Sequence, residues 1–302
     1  MRLCKKLRIM AAAAAVVVLA AACGTDGGGS EGIQIVATTT ILGDVVANVA
    51  GDGVQVETLI PLGASPHDFV PSSRQVAAIH NADLVVANGL DLEEGLGDVL
   101  AAAQGEGVNV LTVSPLLTPL PRSDGEGVDP HVWMDPLRMK LAAQEIAEAL
   151  FLIDGDGAWQ VRADAYVEEL QMTHQEVEEL LGEISADRRK LVTNHDSLGY
   201  LADRYGFEIV GTVIPGGTSL GDPSSAALAD LVDTIDREQV LAIFADTNEP
   251  DALAHAVAAE AGFAVAVVEL FTGSLGEPGT GADTLIGMLL VDAERIAAAL
   301  GS

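Results

Sequence analysis

Three of the six histidines stand in settings suited to holding a metal ion. His67 lies in Gly63-Ala64-Ser65-Pro66-His67-Asp68-Phe69, and His131 in Val128-Asp129-Pro130-His131-Val132-Trp133-Met134-Asp135-Pro136. Each directly follows a proline, which fixes its own φ and keeps the residue before it extended. Such a backbone presents an imidazole with little entropy left to lose. His195 follows the predicted strand Lys190–Thr193 in Thr193-Asn194-His195-Asp196-Ser197. It therefore sits at a carboxyl strand end, where open α/β sheets place their ligands. A divalent-cation site needs neutral imidazoles or carboxylates held in fixed geometry. One Pro-His pair is a weak signal; two, together with a strand-end histidine, make a stronger one. His80 in a predicted helix, His174 on an acidic helix and His255 in an Ala-rich helix read as solvated or satisfied side chains.

Two sets of βα units must position these residues. Ile33–Ala37, Val54–Ile60, Leu84–Ala87 and Asn109–Val113 read as strands, with helices at Ile41–Ala50, Ser73–Asn81 and Leu92–Ala103. The pattern restarts with strands Lys190–Thr193, Glu208–Val213, Val240–Ala245 and Ala264–Glu269. Helices are expected near Leu198–Tyr205, Ser224–Asp236 and Asp251–Ala261, and from about Asp283 to Leu300. Strands separated by helical stretches of this length imply parallel sheets. Between the two sets, Tyr166, Leu170, Thr173, Val177, Leu180 and Ile184 recur at steps of three and four, so Trp159 to Ile184 reads as one long amphipathic helix. The expected architecture is α/β: two lobes, each a mainly parallel four-stranded sheet with flanking helices, joined by a single long helix. The expected boundaries are 33–157 for the N-terminal lobe, 158–185 for the linking helix and 186–302 for the C-terminal lobe.

Residues 1–32 belong to neither lobe. Arg2, Lys5, Lys6 and Arg8 precede an apolar run from Ile9 to Ala22, the pattern of a signal peptide over residues 1–22. Leu19-Ala20-Ala21-Ala22-Cys23 followed by Gly24 resembles a bacterial lipoprotein signal, in which Cys23 becomes the lipidated first residue and 23–32 a flexible tether. The alternative is an ordinary signal peptide with Cys23 incidental. The only other cysteine, Cys4, lies in the removed segment. The mature chain therefore has neither an internal disulfide nor a thiolate metal site.

Composition narrows the partners. The 302 residues carry 45 Asp+Glu against 15 Lys+Arg, a formal charge of −30, and removing the basic signal makes the chain more acidic still. Such a field disfavours nucleic acid and anionic lipid and favours cations. Hydrophobic residues at 49% exclude a disordered chain.

These residues together resemble the metal-binding lipoproteins of zinc/manganese ABC importers, the cluster A-I solute-binding proteins. The resemblance runs through the export signal, the Ile33–Ile41 opening, Ser65-Pro66-His67-Asp68 and Ala82-Asp83-Leu84-Val85-Val86-Ala87-Asn88-Gly89-Leu90. It continues through Asp129-Pro130-His131-Val132-Trp133-Met134-Asp135-Pro136, Thr193-Asn194-His195-Asp196 and Leu270-Phe271-Thr272-Gly273-Ser274-Leu275. It implies a metal held in the cleft between the lobes by His67 and His131 from one side and His195 from the other. It also implies delivery to an ABC permease and its ATPase by a membrane-anchored, monomeric, extracytoplasmic protein. In relatives with four protein ligands an aspartate belongs where this chain has Gly273. Water, Asp246 or Asp283 are the candidates to complete the shell, and turn or cap roles are the plainer reading of both aspartates.

Three imidazoles suit Zn²⁺ better than Mn²⁺, which prefers more oxygen ligands. The stretch Pro119 to Asp129, where zinc-binding relatives often carry a His-rich loop, is short and acidic here. Asp68, Asn194 or Asp196 are expected to orient the ligands, and affinity should fall below about pH 6.5, where an ordinary imidazole protonates. A metal-dependent hydrolase of the cell envelope is the rival class, because three histidines and a water also make a catalytic zinc site. There is, however, no His-Glu-x-x-His helix. A metal-binding surface adhesin without a transport role would share the fold.

Overall fold

The computed structural model describes residues 32–123, 125, 127–216 and 221–301. The expected signal peptide, Cys23 and all but the end of the expected tether lie outside them.

The N-terminal sheet contains β1 (Ile35–Ala37), β2 (Val56–Thr58), β3 (Leu84–Ala87) and β4 (Val110–Thr112), all parallel, in the order β2-β1-β3-β4. The central strands β1 and β3 are buried at every residue, as expected of parallel strands covered by helices on both faces, while the edge strands are partly exposed. The crossover helices are α1 (Thr40–Ala50), α2 (Ser73–Asn81) and α3 (Gly97–Gly105). Thr39 caps α1 by accepting from the Leu42 amide, and Ser72 with Gln75 forms a capping box on α2.

The C-terminal sheet repeats the plan with β5 (Lys190–Thr193), β6 (Glu208–Thr212), β7 (Ala242–Asp246) and β8 (Ala266–Leu270), in the order β6-β5-β7-β8. It is also entirely parallel. In such an order the chain leaves neighbouring central strands in opposite directions. Crevices therefore open at the carboxyl ends of β1/β3 and β5/β7.

One difference from the sequence-based expectation matters: α4 (Pro136–Asp154) is a 19-residue helix that the hydrophobic periodicity does not reveal. Its end signals are clear: Asp135 is the N-cap, Pro136 takes the first turn, and Gly155 closes it in the left-handed conformation at φ 74°. The long amphipathic helix expected between the two sets of strands is α5 (Ala158–Gly182). Its face of Trp159, Ala163, Tyr166, Leu170, Thr173, Val177 and Leu181 is buried, packed against α1, α4 and the last helix α9 (Leu285–Leu300). The Thr173 hydroxyl is satisfied within the helix by donating to the Glu169 carbonyl at 2.9 Å.

One apolar core runs from Ile35 and Val86 of the first sheet through Ile146 of α4 and Leu170 of α5 to Leu191, Phe244 and Leu289. Smaller clusters line the outer faces of the sheets, around Ile79 in the first and Ile235 in the second. The helices α6 (Gly199–Tyr205), α7 (Ser225–Glu238) and α8 (Ala252–Glu260) complete the second lobe.

Candidate metal centre

His67, His131 and His195 are brought together although they are 64 residues apart at each step. His67 stands in the loop that leaves β2, and His131 in the segment between β4 and α4. His195 is two residues past the end of β5, beside β7, where the Asn194 amide donates to the Phe244 carbonyl at 2.8 Å. All three are buried. Among the described residues they form the one group of three or more His, Cys, Asp or Glu side chains able to surround a single ion.

The Nε2 atoms converge. His131 Nε2 lies 3.3 Å from His67 Nε2 and 3.3 Å from His195 Nε2. Ring centroids are 5.2 to 5.4 Å apart at steep mutual angles, so the rings point at a common centre rather than stack. Tetrahedral zinc bonds of 2.0–2.1 Å place nitrogen donors about 3.3–3.4 Å apart. The two edges that meet at His131 already have that length, and all three donor atoms lie within 4.8 Å of one another.

Asp129 sets the tautomer of His131. Its Oδ1 lies 2.8 Å from His131 Nδ1 and also accepts the His131 main-chain amide at 2.9 Å. With the proton held on Nδ1, the Nε2 lone pair faces the other two rings. The residues expected to do this work do not. Asp68 is exposed, and the Asn194 side chain and His195 Nδ1 have no hydrogen-bond partner among the described residues. Asp196 instead accepts from the Ser123 amide and hydroxyl, both at 2.8 Å. The Asp-x-His spacing, which lets a carboxylate reach both the amide and the ring two residues on, was the available signal.

Burial also settles charge. Desolvation, with His131 nearby, pushes His67 down to about 3, and desolvation with both neighbouring imidazoles holds His195 well below the usual histidine range. These two rings stay neutral far below pH 6.5. The acid-induced loss of affinity anticipated from ordinary imidazoles is therefore displaced to lower pH for His67 and His195.

No carboxylate joins the trio among the described residues. Asp283 is exposed and accepts from the Gly279 amide at 3.3 Å, a loop contact. Asp246 ends β7 fully buried, and burial raises its carboxyl to about 6; the Thr272 hydroxyl donates to it. It stands behind Gly273. A Cβ on Gly273 would lie 3.2 Å from Asp246 Oδ2 and 2.8 Å from the Asn248 amide, so those side chains fill the space beside it.

The second lobe closes over the 129–135 segment. Tyr200 donates its hydroxyl to the Asp129 carbonyl at 2.7 Å, and the Trp133 indole donates to the Thr272 carbonyl at 2.8 Å while its ring meets His131 edge-on. Arg204 grips Asp135 through two bonds, 3.0 and 2.7 Å. Gly199 approaches Asp129 so closely that a Cβ would stand 2.3 Å from Oδ2. The other histidines stay apart from the trio: His80 pairs with Glu106, His255 with Asp251, and His174 contacts the Tyr205 hydroxyl. By its letters, Gly217-Thr218-Ser219-Leu220-Gly221 spells the Gly-x-Ser-x-Gly pattern of hydrolase nucleophiles, but 217–220 lie outside the described residues.

Comparison with known proteins places this geometry in context. A family model described as zinc-uptake complex component A, periplasmic, matches residues 35–299. The manganese-binding lipoprotein MntA of Halalkalibacterium halodurans is 31% identical over 261 residues, covering 86% of this chain and 85% of the relative. The zinc-binding protein TroA of Treponema pallidum is 31% identical over 287 residues, covering 92% of each. The solved structure of that periplasmic zinc-binding protein superposes with a TM-score of 0.82 at 31% identity, covering 90% of this chain and all of the other.

Proposed function

The chain belongs to the ZnuA family of periplasmic zinc-uptake components, and from that premise we propose that it captures a divalent transition-metal ion, zinc ahead of manganese, on the Nε2 atoms of His67, His131 and His195. It is a metal-binding solute-binding component of an ABC importer, not an enzyme. The observation that carries the ligand assignment is the convergence of three buried Nε2 atoms, that of His131 lying 3.3 Å from each of the other two. Three imidazole nitrogens, joined by no carboxylate among the described residues, suit zinc, whereas manganese draws on oxygen donors. Water completes the shell in this reading, since Asp246 is engaged by Thr272 and Gly273 offers no side chain.

Delivery follows from the same premise. The acidic surface raises the local concentration of cations, within the 8–10 Å over which salt leaves the field unscreened. The loaded protein then docks as a monomer on its permease, which an ATPase drives. Residues 1–22 direct export, and Cys23 carries the lipid that anchors the chain outside the cell membrane. Lipoproteins among the relatives support this reading, and among the described residues no helix is long and apolar enough to cross a membrane.

Metal analysis by mass spectrometry tests the proposal, on protein purified without chelator and without added metal. One zinc per chain, retained against a manganese excess, is expected. Stoichiometric manganese, or zinc retained after His131→Ala and His195→Ala together, would overturn it.

A further inference from the structure

Asn88 is the first residue past β3, at the crevice of the N-terminal sheet, and is almost completely buried. Its polar groups are all committed. The main-chain amide donates to Glu93 Oε1 at 2.8 Å, and the carbonyl accepts the Ser114 amide at 3.0 Å. Oδ1 accepts the Ser114 hydroxyl at 2.8 Å. Nδ2 donates to the Gly89 carbonyl and, across the lobe, to the Pro130 carbonyl, both at 3.0 Å. Glu93 is itself buried and anchors the arrangement: it also accepts the Gly89 amide at 3.0 Å and the Thr38 hydroxyl, tying the loop after β3 to the loop after β1.

The Pro130 carbonyl is the hinge of the histidine that follows it. It accepts the Val132 amide at 2.9 Å across His131, whose φ of −83° and ψ of 46° are close to those of an inverse γ-turn. At the other end of the same peptide plane the His131 amide donates to Asp129 Oδ1 at 2.9 Å, while the turn bond to the Pro130 oxygen is a bent one. The Asn88 amide supplies a second donor to the same oxygen and fixes that plane. The backbone leading into His131 is thus held by Asn88 at the Pro130 carbonyl and by Asp129 at the amide, and the ring by Asp129.

We propose that Asn88 is a positioning residue for His131: its side-chain amide, clamped by Ser114, orients the Pro130 carbonyl and so aims the imidazole at the metal. The inference rests on the three-histidine reading of the site. Outer-shell partners of metal ligands are commonly worth 10–100-fold in affinity, and an effect of that size is expected here.

The test is a double-mutant cycle on the full mature chain, with Zn²⁺ affinity measured by competition against a chromophoric chelator. Asn88→Asp keeps the shape and the acceptor for Ser114 but removes the donors, and should weaken Zn²⁺ binding about 10–100-fold. Combined with His131→Ala it should cost less than about twofold more, because there is no longer a ring to aim. Combined with His195→Ala its full cost should remain. Ser114→Ala, a milder change that frees one end of the amide, should give a smaller loss that also vanishes with His131→Ala. Unchanged affinity in both Asn88→Asp and Ser114→Ala, or equal losses with and without His131, would overturn the positioning role while leaving the three-histidine reading intact. Unchanged affinity in His131→Ala alone would overturn that reading, and this proposal with it.

Discussion

Asp129 Oδ1 lies 2.8 Å from His131 Nδ1, and this contact decides which nitrogen of His131 faces the other two rings. The carboxylate comes from the same short segment as the ligand, yet its other oxygen is hemmed in by Gly199 of the opposite lobe. The orientation of one ligand therefore depends on both lobes.

Asp129→Ala should lower Zn²⁺ affinity about 10–100-fold, the usual cost of losing an outer-shell partner. Gly199→Ala touches no ligand, but its new methyl would stand 2.3 Å from Asp129 Oδ2 and must displace the carboxylate. A loss in the same direction is expected. Chelator competition measures both, and an unchanged affinity in Asp129→Ala would remove its orienting role.

Proton release on metal binding should be small. With His67 lowered to about 3 and His195 also held low, these rings carry no proton to displace at pH 5.5. Three ordinary imidazoles would each lose about tenfold in affinity per pH unit below 6.5. Here His67 and His195 should add almost nothing to the loss of affinity between pH 6.5 and 5.5. Calorimetry in buffers of different ionisation enthalpy reads the proton count directly, and release of two or more protons per zinc at pH 5.5 would contradict it.

Asp246 should penalise the metal-free fold at alkaline pH. Its folded value near 6 lies above the unfolded 3.8, so the native state holds the extra proton between these values and gains stability as pH falls through that window. Above about pH 6 the buried charge is a cost of up to about 3 kcal/mol. Asp246→Asn should therefore stabilise the chelator-treated protein more at pH 8 than at pH 4. Denaturant titrations at the two pH values check this; an equal effect at both would refute it.

Metal should stabilise the fold through the histidines alone. Ligand at 100 times its dissociation constant adds about 2.7 kcal/mol, seen as a rise in melting temperature on zinc addition. That rise should vanish in His67→Ala. By contrast, Leu170→Ala, in the core face of α5, should cost about 2–5 kcal/mol yet leave the zinc-induced rise in place.

Much of this was legible in the chain, and the failures have particular causes. Periodicity identified α5, and the β-rich runs gave all eight strands of the described residues, with Val54–Ile60 shortened to Val56–Thr58. The helix α4 escaped because its apolar residues do not form a clean stripe: it lies between α5, α1 and the sheet, and so buries several sides. Its caps, Asp135-Pro136 and Gly155, were the better guide. Among the outer contacts of the site, Asp68 and Asn194 were plausible from proximity in sequence. Asp129 had only the Asp-x-His spacing to mark it, and Asn88 emerged from hydrogen-bond geometry alone.

The sequence by itself determined the class of fold, the kind of chemistry and which histidines to watch. Those depend on local patterns: β-branched runs, prolines before imidazoles, and a strand end before His195. Only the tertiary structure decided that residues separated by 64 positions converge with Nε2 atoms 3.3 Å apart. It also decided that Asp129 and Asn88 aim one of them, and that burial keeps two of the rings uncharged. Distances across a fold, and the desolvation that shifts a proton's equilibrium, arise from packing between segments, and no local run of residues contains them.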